Sequence, residues 1–235
     1  MEIDVLILGE GATDVGIPNG FGQWEKGCIM ILIEKINEQV TLNYIPVQKK
    51  SLPTTLPKKD QGKFRGHGKN IQKLVIYSHL KKIAHDIVVY YGDTDKESGA
   101  NNSEIQARKA SKQAYEQAHE ALDFFNKQGF AIIPLRMLES WLLGDPVAFE
   151  KTFGRQIELP STPELLWGNK NDPESQYPKH VLDKTLSSLG STSNRQVFCE
   201  LVQNINLDKL YKQCPISFPP FFDRAKNCLC DQTGE

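Results

Sequence analysis

The chain of 235 residues has no apolar run near the roughly 20 residues that span a bilayer, and its mean hydropathy is -0.43. A protein built on membrane-spanning helices is excluded on that ground. The first residues, MEIDVLILGEG, lack the basic segment that opens a secretory leader, so they are expected to form a buried strand in a cytoplasmic protein without a membrane partner. Disulfide scaffolds are excluded too: the five cysteines are odd in number and have no framework spacing. Cys228 and Cys230, with Cys214 nearby, lack the two CxxC pairs of a zinc knuckle, and all five are expected to be free thiols. The chain also has little net charge, with 28 Lys and Arg against 29 Asp and Glu.

That balance hides an asymmetry. Residues 49–85 hold ten Lys and Arg and a single acid, Asp60. A near-neutral protein with one concentrated basic segment can still hold a polyanion, because the local field governs capture. Within the segment, Lys63, Arg65, His67 and Lys69 alternate with glycines and Phe64 and are the expected contacts to a nucleic-acid backbone.

Hydrophobic residues make up 39% of the chain and charged ones 24%, enough for a packed core and too apolar for disorder. IDVLIL (3–8) reads as a buried parallel strand running into a glycine turn, and apolar residues at helical spacing follow from Trp24 to Glu38. TLNYIPV is a second strand. The basic loop with Pro53 and Pro57 comes next, then a helix expected over Asn70 to Ala84. DIVVYY leads into the acidic turn GDTD, a long alanine-striped helix begins near Ser103, and FAIIPL is the last strand. This alternation predicts an α/β fold with a parallel sheet flanked by helices over residues 1–135. Residues 136–235 carry no strand signal and are expected to form a C-terminal helical extension.

Two glycine motifs fail as nucleotide sites. In Gly9-Glu10-Gly11-Ala12-Thr13-Asp14 the third glycine of a dinucleotide turn is replaced by Asp14, and two carboxylates would repel a pyrophosphate. GKFRGHGK has one residue too many for a P-loop, no preceding strand, and Asn70 where a hydroxyl would meet magnesium.

Carboxylates at strand ends remain. Glu10 and Asp14 follow the first strand; Asp93 and Asp95 follow a later one, with Glu97 two residues on. Residues i and i+2 of an extended turn face the same side, so Asp-x-Asp suits one hard cation that keeps part of its water shell. Ligands of such sheets lie at the carboxyl ends of the strands, where both acidic turns fall.

Glu10-Gly11 after the first strand and Asp93-Thr94-Asp95 after a later one resemble the Toprim signature of topoisomerases, primases and OLD-family nucleases. EGATD is similar to the EGxT(D/E) turn of the OLD-type enzymes, and LESWLLGDP, YPKHVLDKTL and INLDKLYKQCPISFPPFFD resemble segments of Toprim-like bacterial proteins encoded beside ABC-type ATPases in phage-defence loci. The resemblance implies a Toprim-like, Rossmann-like fold and a metal-dependent nuclease acting on DNA or RNA. It implies Mg2+ or Mn2+ as cofactor and an ABC-type ATPase as partner, with self-association also open. Glu10, Asp93 and Asp95 would be its catalytic residues; Asp14, and Glu139 of the ESW motif, would join them as metal ligands. A phosphodiesterase whose acidic site repels its substrate needs a basic path to hold the backbone, which residues 49–85 offer. His180 is a further phosphate-contact candidate, and Trp141 is a core or base-stacking residue. Two alternatives stay open: a catalytically silent Toprim-like subunit of an ATPase complex, and an Asp-x-Asp nucleotide-sugar transferase or phosphatase.

Overall fold

The computed structural model describes residues 1–18, 24–94 and 103–231. The chain divides into two compact units. Unit 1 comprises residues 1–92, 112–132 and 223–235, and unit 2 comprises residues 93–111 and 133–222. This differs from a single cut at residue 135: the chain passes into unit 2 just after the fifth strand, and its C-terminal segment returns to unit 1.

Unit 1 is an α/β layer built on four parallel strands, β1 (Glu2–Gly9), β4 (Thr41–Gln48), β5 (Ile87–Tyr91) and β6 (Gly129–Ile132), in the order β4-β1-β5-β6. Two-residue strands β2 (Ile17–Pro18) and β3 (Trp24–Glu25) form a separate antiparallel pair. Val5, Leu6, Ile7, Val88 and Val89 are 0% exposed, so both faces of the two central strands are covered, which is why these strands read as unbroken apolar runs. The flanking helices are α1 (Ala12–Val15), α2 (Cys28–Glu34), α3 (Gly66–Lys81) and, from Lys112 on, α4 (Glu104–Phe124).

From β1 the chain crosses to β4 on one side; from β5 it crosses to β6 on the other. The strand order therefore reverses between β1 and β5, and such a switch point opens a crevice outside the carboxyl ends of the two strands. The register pairs Leu8 with Tyr90 and Gly9 with Gln48. One step beyond Gly9 and Gln48 the chain stands at Glu10 and Lys49, and two steps beyond Leu8 and Tyr90 it stands at Glu10 and Gly92.

Helix α3 starts four residues before the expected Asn70. The Gln117 side chain on α4 accepts from the His67 N–H at 3.2 Å, and Gly66 holds φ +49° where an added Cβ would lie 2.0 Å from that same amide oxygen. Positive φ favours glycine at this position. The helix closes on Lys82, a non-glycine residue in the left-handed region, whose N–H bonds His79 O while Ile83 N–H bonds Ser78 O. This Schellman pattern ends it before Ala84.

Unit 2 is helical: α5 (Leu138–Leu142), α6 (Pro146–Phe153), α7 (Pro178–Ser188), α8 (Arg195–Asn204), α9 (Leu207–Gln213) and the first turn of α10 (Phe218–Asp231), with the Glu104–Ser111 turns of α4. Asp145, 0% exposed, organises one corner. Its Oδ1 caps α6 at Val147 N and its Oδ2 accepts from Asn206 N at 2.8 Å. Trp141 is buried in the core, edge-on to Phe218 and stacked on Phe221 at centroid separations of 5.1 and 5.5 Å, so it is not a base-stacking platform. Among the described residues no helix is long and apolar enough to cross a membrane.

Candidate functional site

The carboxyl edge of the unit 1 sheet gathers charged groups from three elements. Glu10, at the end of β1, is exposed and takes the Lys49 ammonium on Oε1 at 2.6 Å. The pair is a consequence of register, since each residue directly follows the matched positions Gly9 and Gln48. The turn that presents Glu10 is held by Asp14, whose Oδ2 accepts from Glu10 N–H at 3.1 Å and Gly11 N–H at 2.9 Å. An acid at the third position of a helix commonly closes its N-terminus in this way. Buried Asp14 thus shapes the turn, with one carboxylate oxygen committed to backbone, while Glu10 carries the exposed charge.

His67, expected among the phosphate contacts, is 5% exposed and faces inward. Its Nδ1 lies 2.9 Å from the Tyr90 hydroxyl, which also accepts from Asn70 Nδ2 at 3.1 Å. Burial first and the Lys49 charge second pull its pKa from the ordinary 6.5 to about 4, against the opposing pull of Glu10. The ring is neutral at pH 7 and adds nothing to the basic field. The phosphate-contact role therefore does not fit His67; it packs the root of α3 against the end of β5. Gly92 completes this corner, because a Cβ there would meet the Tyr90 hydroxyl at 2.2 Å.

Of the other basic residues, Arg65 and Lys69 are exposed at the start of α3. Lys63 is engaged locally, 3.4 Å from Asp60 and 5.1 Å from the centre of the Phe124 ring. His180, on α7, lies 3.3 Å from the Ser175 hydroxyl through Nδ1.

In unit 2, Asp93 is half-buried at the start of its first segment. Thr94, between the two aspartates, is fully buried; its hydroxyl accepts from Arg136 N–H at 2.8 Å and reaches Pro134 O at 3.4 Å. The middle residue of Asp-Thr-Asp thus anchors the turn to the segment that follows β6. Asp95 and Glu97 lie outside the described residues. Glu139 is half-buried in the first turn of α5. Among the described residues no three acidic, histidine or cysteine side chains gather as a metal cage.

The motifs LESW and CPISF meet for a structural reason. Glu164 is 2% exposed and accepts from Ile216 N–H at 2.7 Å, from Ser217 N–H at 2.9 Å and from the Ser217 hydroxyl. Trp141 Nε1 donates to Ser217 Oγ at 2.9 Å, and Leu135 N–H donates to the same oxygen at 2.8 Å. Burial raises the Glu164 pKa, opposed by these hydrogen bonds.

The chain matches the family described as a domain of unknown function, DUF4276, over residues 24–224. It belongs to that family. No curated protein and no solved structure matches it. The DUF4276 span includes Lys49, the basic segment, Asp93 and the Trp141–Glu164–Ser217 network, while Glu10 and Asp14 precede it.

Sequence reasoning missed three features of this DUF4276 chain. Lys49 was visible only as charge, and its partner emerges from strand register. Tyr90 and Asn70 flank His67 from positions that no motif connects. Arg136, four residues past β6, is 5% exposed with φ +73°, a left-handed backbone that a non-glycine residue adopts at a cost.

Proposed function

We propose that this protein is a metal-dependent nuclease of Toprim type, hydrolysing phosphodiester bonds of DNA or RNA with Mg2+ or Mn2+. The observation that carries the reading is topological: Glu10 follows β1 and Asp93 follows β5, the two parallel strands that flank the switch point. The donor chemistry fits a hard cation, being carboxylate without thiol or imidazole, and Glu10 already accepts one cation in the Lys49 ammonium. A bound divalent ion supplies charge neutralisation at the phosphoryl oxygens and a water of lowered pKa.

The chain's own residues do the rest. Glu10, Asp93 and Asp95 would hold the ion, Asp14 fixes the turn that presents Glu10, and Lys49 would offer an ammonium to the phosphate. Arg65 and Lys69 hold the strand by its backbone. Glu139 completes the acidic set. By resemblance the protein acts in the cytoplasm as the effector of an ABC-type ATPase in anti-phage defence.

The experiment is cleavage of plasmid, single-stranded DNA and bulk tRNA with Mg2+ or Mn2+, alone and with any ATPase encoded beside the gene. Wild type cleaves at least one substrate, and Glu10→Gln and Asp93→Asn each lose about 100-fold or more while keeping their circular dichroism. Full activity in both variants, or no cleavage in any condition, contradicts the reading; the second result together with a stable ATPase complex favours the silent subunit.

A further inference from the structure

Helix α4 ends, within unit 1, on two adjacent phenylalanines. Phe125 is half-buried, whereas Phe124 is 58% exposed. The helix end is closed rather than frayed. Asn126 takes φ +48°, its N–H donates to Asp123 O, and the Lys127 N–H donates to Leu122 O, each at 2.9 Å. The Phe124 ring is braced by two others. Its centroid lies 5.3 Å from that of Phe64 at an interplanar angle of 75°, and 5.1 Å from that of Phe125 at 83°. Neither neighbour lies parallel to it, so these contacts fix the ring without stacking on it.

A singly exposed apolar side chain is ordinary on a protein surface. Charge is what sets this one apart. Phe64, the buried brace, lies in the chain between the exposed cations Lys63 and Arg65. The Lys63 ammonium stands 5.1 Å from the centre of the Phe124 ring. Two acids of this corner each have a cation partner, Asp60 in Lys63 at 3.4 Å and Asp123 in Arg224 at 3.8 Å. A fixed, exposed ring among cations suits a polyanion that also offers flat rings. Nucleic acid is such a polyanion, and only an unpaired strand has base faces free to stack on a side chain.

We propose that Phe124 is a stacking platform for a base of single-stranded nucleic acid, with Lys63 and Arg65 on the adjoining phosphates. The proposal deepens the nuclease reading, on which it rests for the fate of the strand, by naming an unpaired strand as the substrate. Binding is measured in EDTA, without cleavage, so its failure is distinct from failure of the metal site.

Fluorescence anisotropy of the full chain would use a labelled single strand, an abasic strand of the same length, and the duplex of the first. Wild type is expected to bind the single strand about tenfold more tightly than the abasic one. Phe124→Leu keeps an apolar side chain and removes the flat face. It loses about tenfold on the single strand and nothing on the abasic strand or the duplex, and Phe124→Trp restores the loss. Lys63→Gln lowers the slope of log K against log salt by about 0.7 on the single strand. Should Phe124→Leu not keep the wild-type circular dichroism, the abasic comparison on wild type and the Lys63→Gln slope still decide. No binding by wild type, equal affinity for single and abasic strands, or an unchanged Lys63→Gln slope overturns the proposal. A Phe124→Leu loss shared by all three ligands overturns it as well. Strand affinities untouched by Phe124→Leu also overturn it, and leave the ring to a protein partner.

Discussion

Asp14 and Glu10 divide the labour of one short turn. Asp14 is buried and spends a carboxylate oxygen on two backbone N–H groups, while Glu10 stands exposed against Lys49. Asp14→Ala removes that closure and is expected to lower stability by about 1–2 kcal/mol in urea unfolding. Asp14→Glu, which keeps an acid at the third helical position, is expected to restore part of it; an unchanged midpoint in Asp14→Ala would show that the hydrogen bonds do not hold the turn. His67 sets the behaviour in acid. Its folded pKa of about 4 lies below the ordinary 6.5, so the unfolded chain binds the extra proton between those values. The contribution is fully present above pH about 6.5 and is lost as the pH falls toward about 4, on the order of 3 kcal/mol in all. Unfolding measured at pH 7, 6, 5 and 4 shows this slope in wild type, and His67→Gln flattens it; equal slopes would place the acid sensitivity elsewhere. The acidic strand ends were legible because a carboxylate after a buried apolar run is conspicuous. His67 was not, since a histidine between glycines in a basic stretch has the outline of a phosphate contact, and its partners Tyr90 and Gln117 come from distant parts of the chain.

At the scale of elements, the strands were readable because full burial leaves unbroken apolar runs, as in β1 and β5. The start of α3 was not, because two glycines in its first turn argue against a helix unless the approach of Gln117 is known. Helix α10 was obscured for a related reason. Pro219 and Pro220 look like breakers, yet they stand in its first turn, where no intrahelical N–H is required. LESW and CPISF carried a resemblance, and the structure gives them a physical basis in the Trp141–Ser217–Glu164 network. Both Glu164 oxygens accept hydrogen bonds, so Glu164→Gln must turn an NH2 group toward a donor. The variant is expected to lose about 1–3 kcal/mol by thermal or urea unfolding. A change below about 0.5 kcal/mol would mean the network adjusts without loss.

For the whole molecule, the decisive pattern is segregation of charge: ten Lys and Arg within residues 49–85, in a chain of net charge -1. If that segment holds a polynucleotide, affinity falls with salt, and each phosphate contact adds about 0.7–0.9 to the slope of log K against log salt. Removing Arg65 and Lys69 together lowers that slope by about 1.4–1.8, measured by fluorescence anisotropy with a labelled strand in EDTA; an unchanged slope would move the backbone contacts elsewhere. The parallel sheet and the helical second half were foreseen from the alternation of patterns. The division into units was less visible, because return of the C-terminal segment to unit 1 is a tertiary fact with no local signal. The central claim is the proposed one, that Glu10 and Asp93 are ligands of a divalent cation. Its most direct test is titration with Mn2+ followed by electron paramagnetic resonance, on wild type, Glu10→Gln and Asp93→Asn. Saturable binding in wild type, weakened about tenfold or more in each single variant and no further in the double, is the predicted result. Binding that is absent from wild type, or untouched by either substitution, would contradict it.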